Sequence, residues 1–316
     1  MYQCLPLVEK MISRIKSRSS KLLSYSGSLQ LVKSVLFEMQ TYWAHIFLLP
    51  KKIISIVTSG CRTFLWTGSN NCSRKALVAW EKICRPKTAV GLNVIDILTW
   101  NRAAICKLLW PVEQKKDKLW VLWVHTFYIK SQDLSQMETP KQACWLLRKV
   151  IDARKCLTSN DSLHKSLHQM TYKGEFSIKK SYLSMLGQFP KADWSKLVLV
   201  KGPIPRHHFI LWMALYRRLS TVDIVAKWEI VVQQECVLCD TQSEEKFDHI
   251  FFACPYAKHV CCSLVNWLGY SRTIGDWNPK IQWLIQRISN SRPRDSILGF
   301  CFAATAYHIW VERNGK

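Results

Sequence analysis

Cys236-Val237-Leu238-Cys239, then Asp248-His249, then Phe251-Phe252-Ala253-Cys254-Pro255 make up the most informative stretch of this 316-residue chain. Two thiols separated by two residues can sit on one tight turn and chelate a single tetrahedral ion. His249 and Cys254 form a His-x4-Cys pair downstream and can supply the other two ligands. Four soft or borderline donors at this spacing predict one zinc ion held by Cys236, Cys239, His249 and Cys254. All four positions are then filled by protein, so no bound water is activated and the predicted role is structural. A Cys-x-x-Cys pair by itself also suits redox chemistry. The downstream ligands weigh against that reading, and a cluster of structural cysteines without metal is the other alternative. His259, Cys261 and Cys262 are near in sequence, but in a helix opening at Pro255 they fall a turn or more away.

Outward from this stretch the patterning is helical. Past Pro255 the residues Tyr256, Val260, Leu264, Trp267 and Leu268 share one stripe, Gly269 stops the helix, and two more helices follow beyond Trp277. Upstream, helices are predicted over Ile178–Leu186 and His207–Arg217, with a third opened by Ser220, whose Asp223 resembles a capping box. Asn101–Trp110 reads as a short helix, and the segment from Pro111 to Thr171 as a helical linker. Near the start, Val8, Met11, Ile12, Ile15 and Leu22 fall at helical spacing while Lys10, Arg14 and Lys21 share another face. A second stripe runs from Leu29 to Ile46 and ends at Pro50, and a further helix spans Lys52–Trp66 before the loop Thr67-Gly68-Ser69-Asn70-Asn71.

Lys and Arg number 45 against 22 Asp and Glu, a formal net charge of +23. So large an imbalance points to a polyanionic partner, with RNA or DNA first and an acidic membrane surface second. The expected contacts are Lys10, Arg14 and Lys21 on the first helix, Lys51 and Lys52 after Pro50, and Lys115, Lys116 and Lys118 beside Trp120 and Trp123. Lysines supply charge and the indoles can stack on unpaired bases. Between the metal ligands Asp240, Glu244, Glu245 and Asp248 face a single Lys246, so the knuckle is expected to be acidic and a poor phosphate contact. Thirteen cysteines, an odd count, fit a reducing compartment. Met1–Pro6 lacks a basic region followed by an apolar one, so nucleus or cytoplasm is the expected location. Met39–Pro50 and Ser296–Val311 are each shorter than the ~18 apolar residues a membrane span needs, and both are read as buried core helices.

The metal motif and its flanks resemble the zinc-binding domain of plant reverse transcriptases. The resemblance is carried by Cys236–Cys239, Glu244–His249 and Phe251–Pro255, by Phe176-Ser177-Ile178-Lys179-Lys180-Ser181-Tyr182, by Pro205–Trp212 and by Arg218–Asp223. Ser24–Leu36, Phe64-Leu65-Trp66 and Lys75–Trp80 are similar to the segment after the palm in LINE-type, non-LTR retrotransposon polymerases. The implied fold is mainly α: a helical, thumb-like and linker-like region followed by a helical domain with a small Cys3His zinc knuckle. The implied division is 1–112 for the thumb-like part, 113–171 for the linker, 172–269 for the zinc-binding domain and 270–316 for C-terminal helices. The resemblance further implies the C-terminal portion of such an enzyme, RNA and DNA as partners, and an intact retrotransposon polymerase as another. The chain contains no Asp-Asp pair of the kind a polymerase uses to hold two metal ions, so it is expected not to be an enzyme. One departure is local: the family often has Gly-Gly-Leu-Gly where this chain has Val90-Gly91-Leu92-Asn93. A protein of another class, an inert or interaction-only remnant of a decayed retrotransposon reading frame, is the competing expectation.

Overall fold

The computed structural model describes residues 24–39, 49–68, 76–157, 162–199, 204–228, 233–271, 277–289 and 292–316, together with Pro6, Glu9 and Ser13. The fold is mainly helical, as the sequence patterning predicts. Two compact units are distinguished: the first comprises 1–19, 31–62 and 95–189, and the second 20–30, 63–94 and 190–316. Helix α1 covers Tyr25–Glu38, α2 Lys51–Thr67 and the short α3 Trp80–Cys84. The part of the N-terminal stripe beyond Met39, and the first predicted helix with Lys10, Arg14 and Lys21, lie outside the described residues.

In the first unit α4 (Ile97–Glu113) is the central element, and it exceeds the predicted Asn101–Trp110 at both ends. Its start is set by Asp96, whose carboxylate accepts from the Thr99 amide at 3.1 Å, a cap the apolar periodicity does not register. Pro111 lies in its final turns. The predicted linker holds α5 (Leu119–Val124), a π-turn at His125–Ile129, α6 (Trp145–Asp152) and α7 (Leu163–Gln169). Cys106, Leu109, Val112, Val121, Ile151 and Leu167 are among the residues of its common core. The buried Arg154 guanidinium donates to the carbonyls of Leu134 and Met137, which ties down the connection before α6. Tyr172-Lys173-Gly174-Glu175 forms a short antiparallel hairpin, β1 (Thr171–Tyr172) with β2 (Glu175–Phe176). Lys173 and Gly174 both take positive φ, as a two-residue hairpin turn requires. After the hairpin α8 (Ile178–Leu186) packs against α4, where Trp100 and Tyr182 meet at 5.3 Å and the Asp96 amide donates to the Tyr182 hydroxyl.

In the second unit the short α9 (Ser195–Leu199) precedes α10 (Pro205–Leu215). Helix α10 packs against α14 (Pro293–Gly315), which also contacts α12 (Pro255–Trp267) and α13 (Trp277–Ser289). Phe209 through Ala214 are all buried, so α10 is apolar nearly all round, the mark of a helix enclosed by its neighbours. The predicted stop of α12 holds: Gly269 follows the helix with φ +68°. Ser296–Val311 lies within α14 and contributes Leu298, Phe302, Ala306 and Ile309 to the core. Among the described residues no helix is long and apolar enough to cross a membrane. The predicted cap at Ser220 is displaced by one residue, since α11 (Val222–Ala226) opens at Thr221, whose hydroxyl binds Asp223.

The Val90–Asn93 loop also belongs to this unit. Val90 and Asn93 have φ of 64° and 54°, and they are the two positions at which this chain departs from the glycines of the resembled family. Its shape is held from outside, because the Val90 carbonyl accepts from the Trp212 indole at 2.7 Å and the Tyr216 hydroxyl at 3.3 Å. At Gly91 a Cβ would stand 1.8 Å from the Arg85 carbonyl oxygen, so glycine is required there by space alone.

Candidate metal centre

The cluster is assembled from three local devices in sequence order. A narrow antiparallel bridge between Glu235 and Glu244, with the Cys236 amide donating to Ser243 O and the Glu245 amide to Gln234 O, folds 234–245 back on itself. Cys236 and Cys239 ride on the turn inside this loop, and Gln242 relieves its return by adopting a left-handed φ of 49°. A π-turn at His249–Ala253 follows, closed by the Cys254 amide on His249 O at 2.7 Å. Cys254 then stands immediately before α12, whose first residue is Pro255.

These devices bring Cys236, Cys239, His249 and Cys254 together with all four ligand atoms within 4.8 Å of one another. His249 presents Nε2, 3.3 Å from the Cys239 sulfur. Metal–sulfur bonds of about 2.3 Å and metal–nitrogen bonds of about 2.0 Å in a tetrahedron put ligand atoms roughly 3.5–3.8 Å apart. The cluster therefore has the donor set and the spread that zinc takes, and all three cysteines are free thiols. Burial pushes the Cys236 and Cys254 thiols above the usual range, and their neighbouring sulfurs add to it. Burial also raises Cys239, but hydrogen bonds from the Thr241 side chain and backbone and from His249 outweigh it and hold this thiol well below its ordinary value. One thiolate is thus easy and three are costly without a cation between them, which is the electrostatic situation a divalent ion resolves.

Residues 176–260 match the family described as zinc-binding in reverse transcriptase. All four cluster residues fall inside that matched segment. An Arabidopsis thaliana protein named for ribonuclease H is 36% identical over 122 residues, a match that spans 39% of this chain and 20% of that protein's length. No solved structure matches the chain significantly.

Around the cluster the charges differ from their sequence appearance. Glu245 is fully buried: it accepts from the Val222 amide at 2.9 Å and from Arg313 of α14 at 3.0 Å to each oxygen. Asp248 makes a two-pronged pair with Arg217 at 2.9 and 3.0 Å, and Glu244 pairs with Lys246. Three of the four carboxylates thus meet a base, two of them an arginine distant in sequence. The expected acidic surface is reduced to Asp240 and the half-compensated Glu244. Sequence proximity could not reveal Arg217 or Arg313 as partners, because both arrive through packing. As predicted, His259, Cys261 and Cys262 are outside the cluster; Cys261 is buried on α12.

Of the expected nucleic-acid contacts, Lys51, Lys52, Lys115, Lys116 and Lys118 are exposed. Lys115, Lys116 and Lys118 lead directly into α5 and its π-turn, from which Trp120, Leu122, Trp123 and Phe127 project into solvent while Val121, Val124 and Ile129 face the core. Trp123 gathers Phe127 at 6.0 Å and Tyr128 at 5.1 Å into one aromatic group. Lys51 lines a cavity of about 250 Å³ with Arg102, Lys149, Trp145 and Asp152. Arg102 and Lys149 went unnoticed in the sequence, where each is one base on an otherwise amphipathic helix.

Proposed function

We propose that this chain is a zinc-stabilised nucleic-acid-binding fragment of a plant LINE-type, non-LTR retrotransposon reverse transcriptase, drawn from its C-terminal portion and lacking polymerase and endonuclease active sites. The carrying observation is the Cys3His cluster, which lies within the segment matched to zinc-binding in reverse transcriptase. In this reading Cys236, Cys239, His249 and Cys254 hold one structural zinc. The zinc-binding domain is 172–269, preceded by a thumb-like part at 1–112 and a linker at 113–171 and followed by helices at 270–316. RNA or DNA is held by Lys10, Arg14, Lys21, Lys51, Lys52, Lys115, Lys116 and Lys118, in a chain of net charge +23 that favours any polyanion. Exposed Trp120 and Trp123 beside three lysines suit an unpaired strand, and an intact retrotransposon polymerase is a further partner. Elemental analysis together with salt-dependent binding to single-stranded RNA tests this reading. It requires one zinc per chain and an affinity that falls steeply with salt; a metal-free folded chain, or salt-indifferent binding, refutes it.

A second reading, an interaction-only remnant of a decayed reading frame, is favoured by one feature. Leu119 is 87% and Leu122 50% exposed on the same short helix as the tryptophans, an apolar face that also suits a protein. Under that reading the folded chain binds zinc and no nucleic acid.

A further inference from the structure

A cavity of about 380 Å³ in the second unit, apart from the metal cluster, is bordered by the start of α1, the end of α2, the first turn of α10 and the last turns of α14. Its walls are aromatic to an unusual degree. Tyr25 stacks on Phe209 at 5.6 Å with an 18° interplanar angle, Trp66 meets both rings at 6.1 and 6.3 Å, and Tyr307 and Trp310 complete the lining. Tyr25 is 39% exposed, so the stack offers a ring to the solvent side.

Two polar features interrupt this wall. Trp66 is 6% exposed, and its indole N–H is closed off from solvent and has no acceptor. Arg206 has no carboxylate partner among the described residues and rests on the Tyr307 ring at 5.3 Å. It sits in the first turn of α10, and the first turn of α1 lines the same cavity, so the positive ends of both helix dipoles add to its preference for negative charge. The occupant these features select is flat, aromatic and joined to an anion.

We infer that this cavity takes one unpaired nucleotide of a single strand, its base against the Tyr25 and Trp66 rings and its phosphate at Arg206. A paired base is held in its stack and cannot enter, so the pocket discriminates single strands from duplex. The buried hydroxyl-bearing residues Ser26 and Ser28 line the same space. The assignment rests on the nucleic-acid reading above and adds to it a defined, base-dependent site that charge alone does not provide.

The test compares, on the full chain, a labelled single-stranded oligoribonucleotide with an abasic strand of equal length and charge, read by fluorescence anisotropy. The base-bearing strand should bind about 10-fold more tightly, the scale of one base stacked on aromatic side chains. Tyr25→Ala, at a partly exposed position, should abolish that advantage while leaving abasic binding and zinc content unchanged. Trp66→Phe, which keeps a six-membered ring but removes the pyrrole part of the indole and with it stacking area, should reduce it in part. Equal affinity for the two strands in the unaltered chain, or a loss in Tyr25→Ala shared by both strands, overturns the pocket and leaves the polyanion reading standing. Failure of the unaltered chain to bind either strand overturns the nucleic-acid reading itself, and the pocket with it.

Discussion

The stretch from Gln234 to Pro255 and the stretch from Lys115 to Lys130 are both short and rich in polar or aromatic residues at the surface, yet they are ordered by opposite means. The first is organised by polar groups: a two-residue bridge, a π-turn, four converging ligands and a buried carboxylate tied to Arg313. The second is organised by apolar burial, with Val121, Val124 and Ile129 at 0–2% exposure beneath a face of outward indoles. A region built on ligands should depend on metal and pH. A region built on burial should be indifferent to both and respond to packing changes instead.

The largest effect that separates them is metal removal. Chelation, or the variants Cys239→Ser and His249→Ala, should abolish zinc content and unfold 234–255, where metal binding in such sites is worth on the order of 10–16 kcal/mol. Amide exchange in 119–129 should stay slow. Full zinc occupancy in both variants would remove the ligand assignment, and simultaneous loosening of both stretches would erase the difference between them.

Acidity comes next. Burial raises the Cys236 and Cys254 thiols, so at neutral pH both carry protons that an incoming zinc ion must displace, whereas Cys239 is already easily ionised. Zinc affinity should therefore rise with pH and fall on acidification, by about 100-fold per pH unit near neutrality if two protons are released. Calorimetry in buffers of differing ionisation enthalpy counts those protons, and a pH-independent affinity would contradict the protonation pattern.

Breaking the Glu245–Arg313 pair should cost about 3–5 kcal/mol, since Arg313→Ala leaves a buried carboxylate with one amide as its remaining partner. Chemical denaturation measures this. A change under about 1 kcal/mol would mean that Glu245 reaches water, and with it that the knuckle is as acidic as its sequence suggests.

On the other stretch, Trp120→Ala combined with Trp123→Ala should weaken single-stranded RNA binding by roughly 10-fold or more with little loss of stability, because both rings are exposed. Replacing Lys115, Lys116 and Lys118 by alanine should lower the salt slope by about 0.7 for each phosphate no longer neutralised. The smallest effect is expected from Asp240→Asn with Glu244→Gln, exposed carboxylates whose removal should leave zinc content intact and raise RNA affinity slightly if at all. A marked loss of RNA binding in that variant would make the zinc knuckle the reader of nucleic acid.

The convergence of Cys236, Cys239, His249 and Cys254, the mainly helical fold and the limits of α2 and α12 were legible in the sequence, because each rests on local chemistry. Chelation needs donors at fixed short spacings, and helices announce themselves by periodicity, Pro255 at one end and Gly269 at the other. Less legible were the extent of α4, where Asp96 caps ahead of the apolar stripe, and the Val90–Asn93 loop. That loop's left-handed residues carry ordinary side chains and are held by Trp212 from a helix more than a hundred positions later.

What the sequence by itself determined about this protein is therefore a set of local instructions, namely where thiols and imidazole can share an ion and where helices start and stop, together with the net basic charge of the whole chain. The tertiary structure alone decided which charges remain on the surface, since Glu245 reads like its acidic neighbours until Arg313 arrives from α14. It also decided that Tyr25, Trp66, Phe209 and Tyr307 line one cavity. The physical reason is range. Ligation, capping and periodicity act over a few residues and leave a trace in spacing, whereas burial and convergence depend on which helix faces meet, and no local pattern encodes that choice.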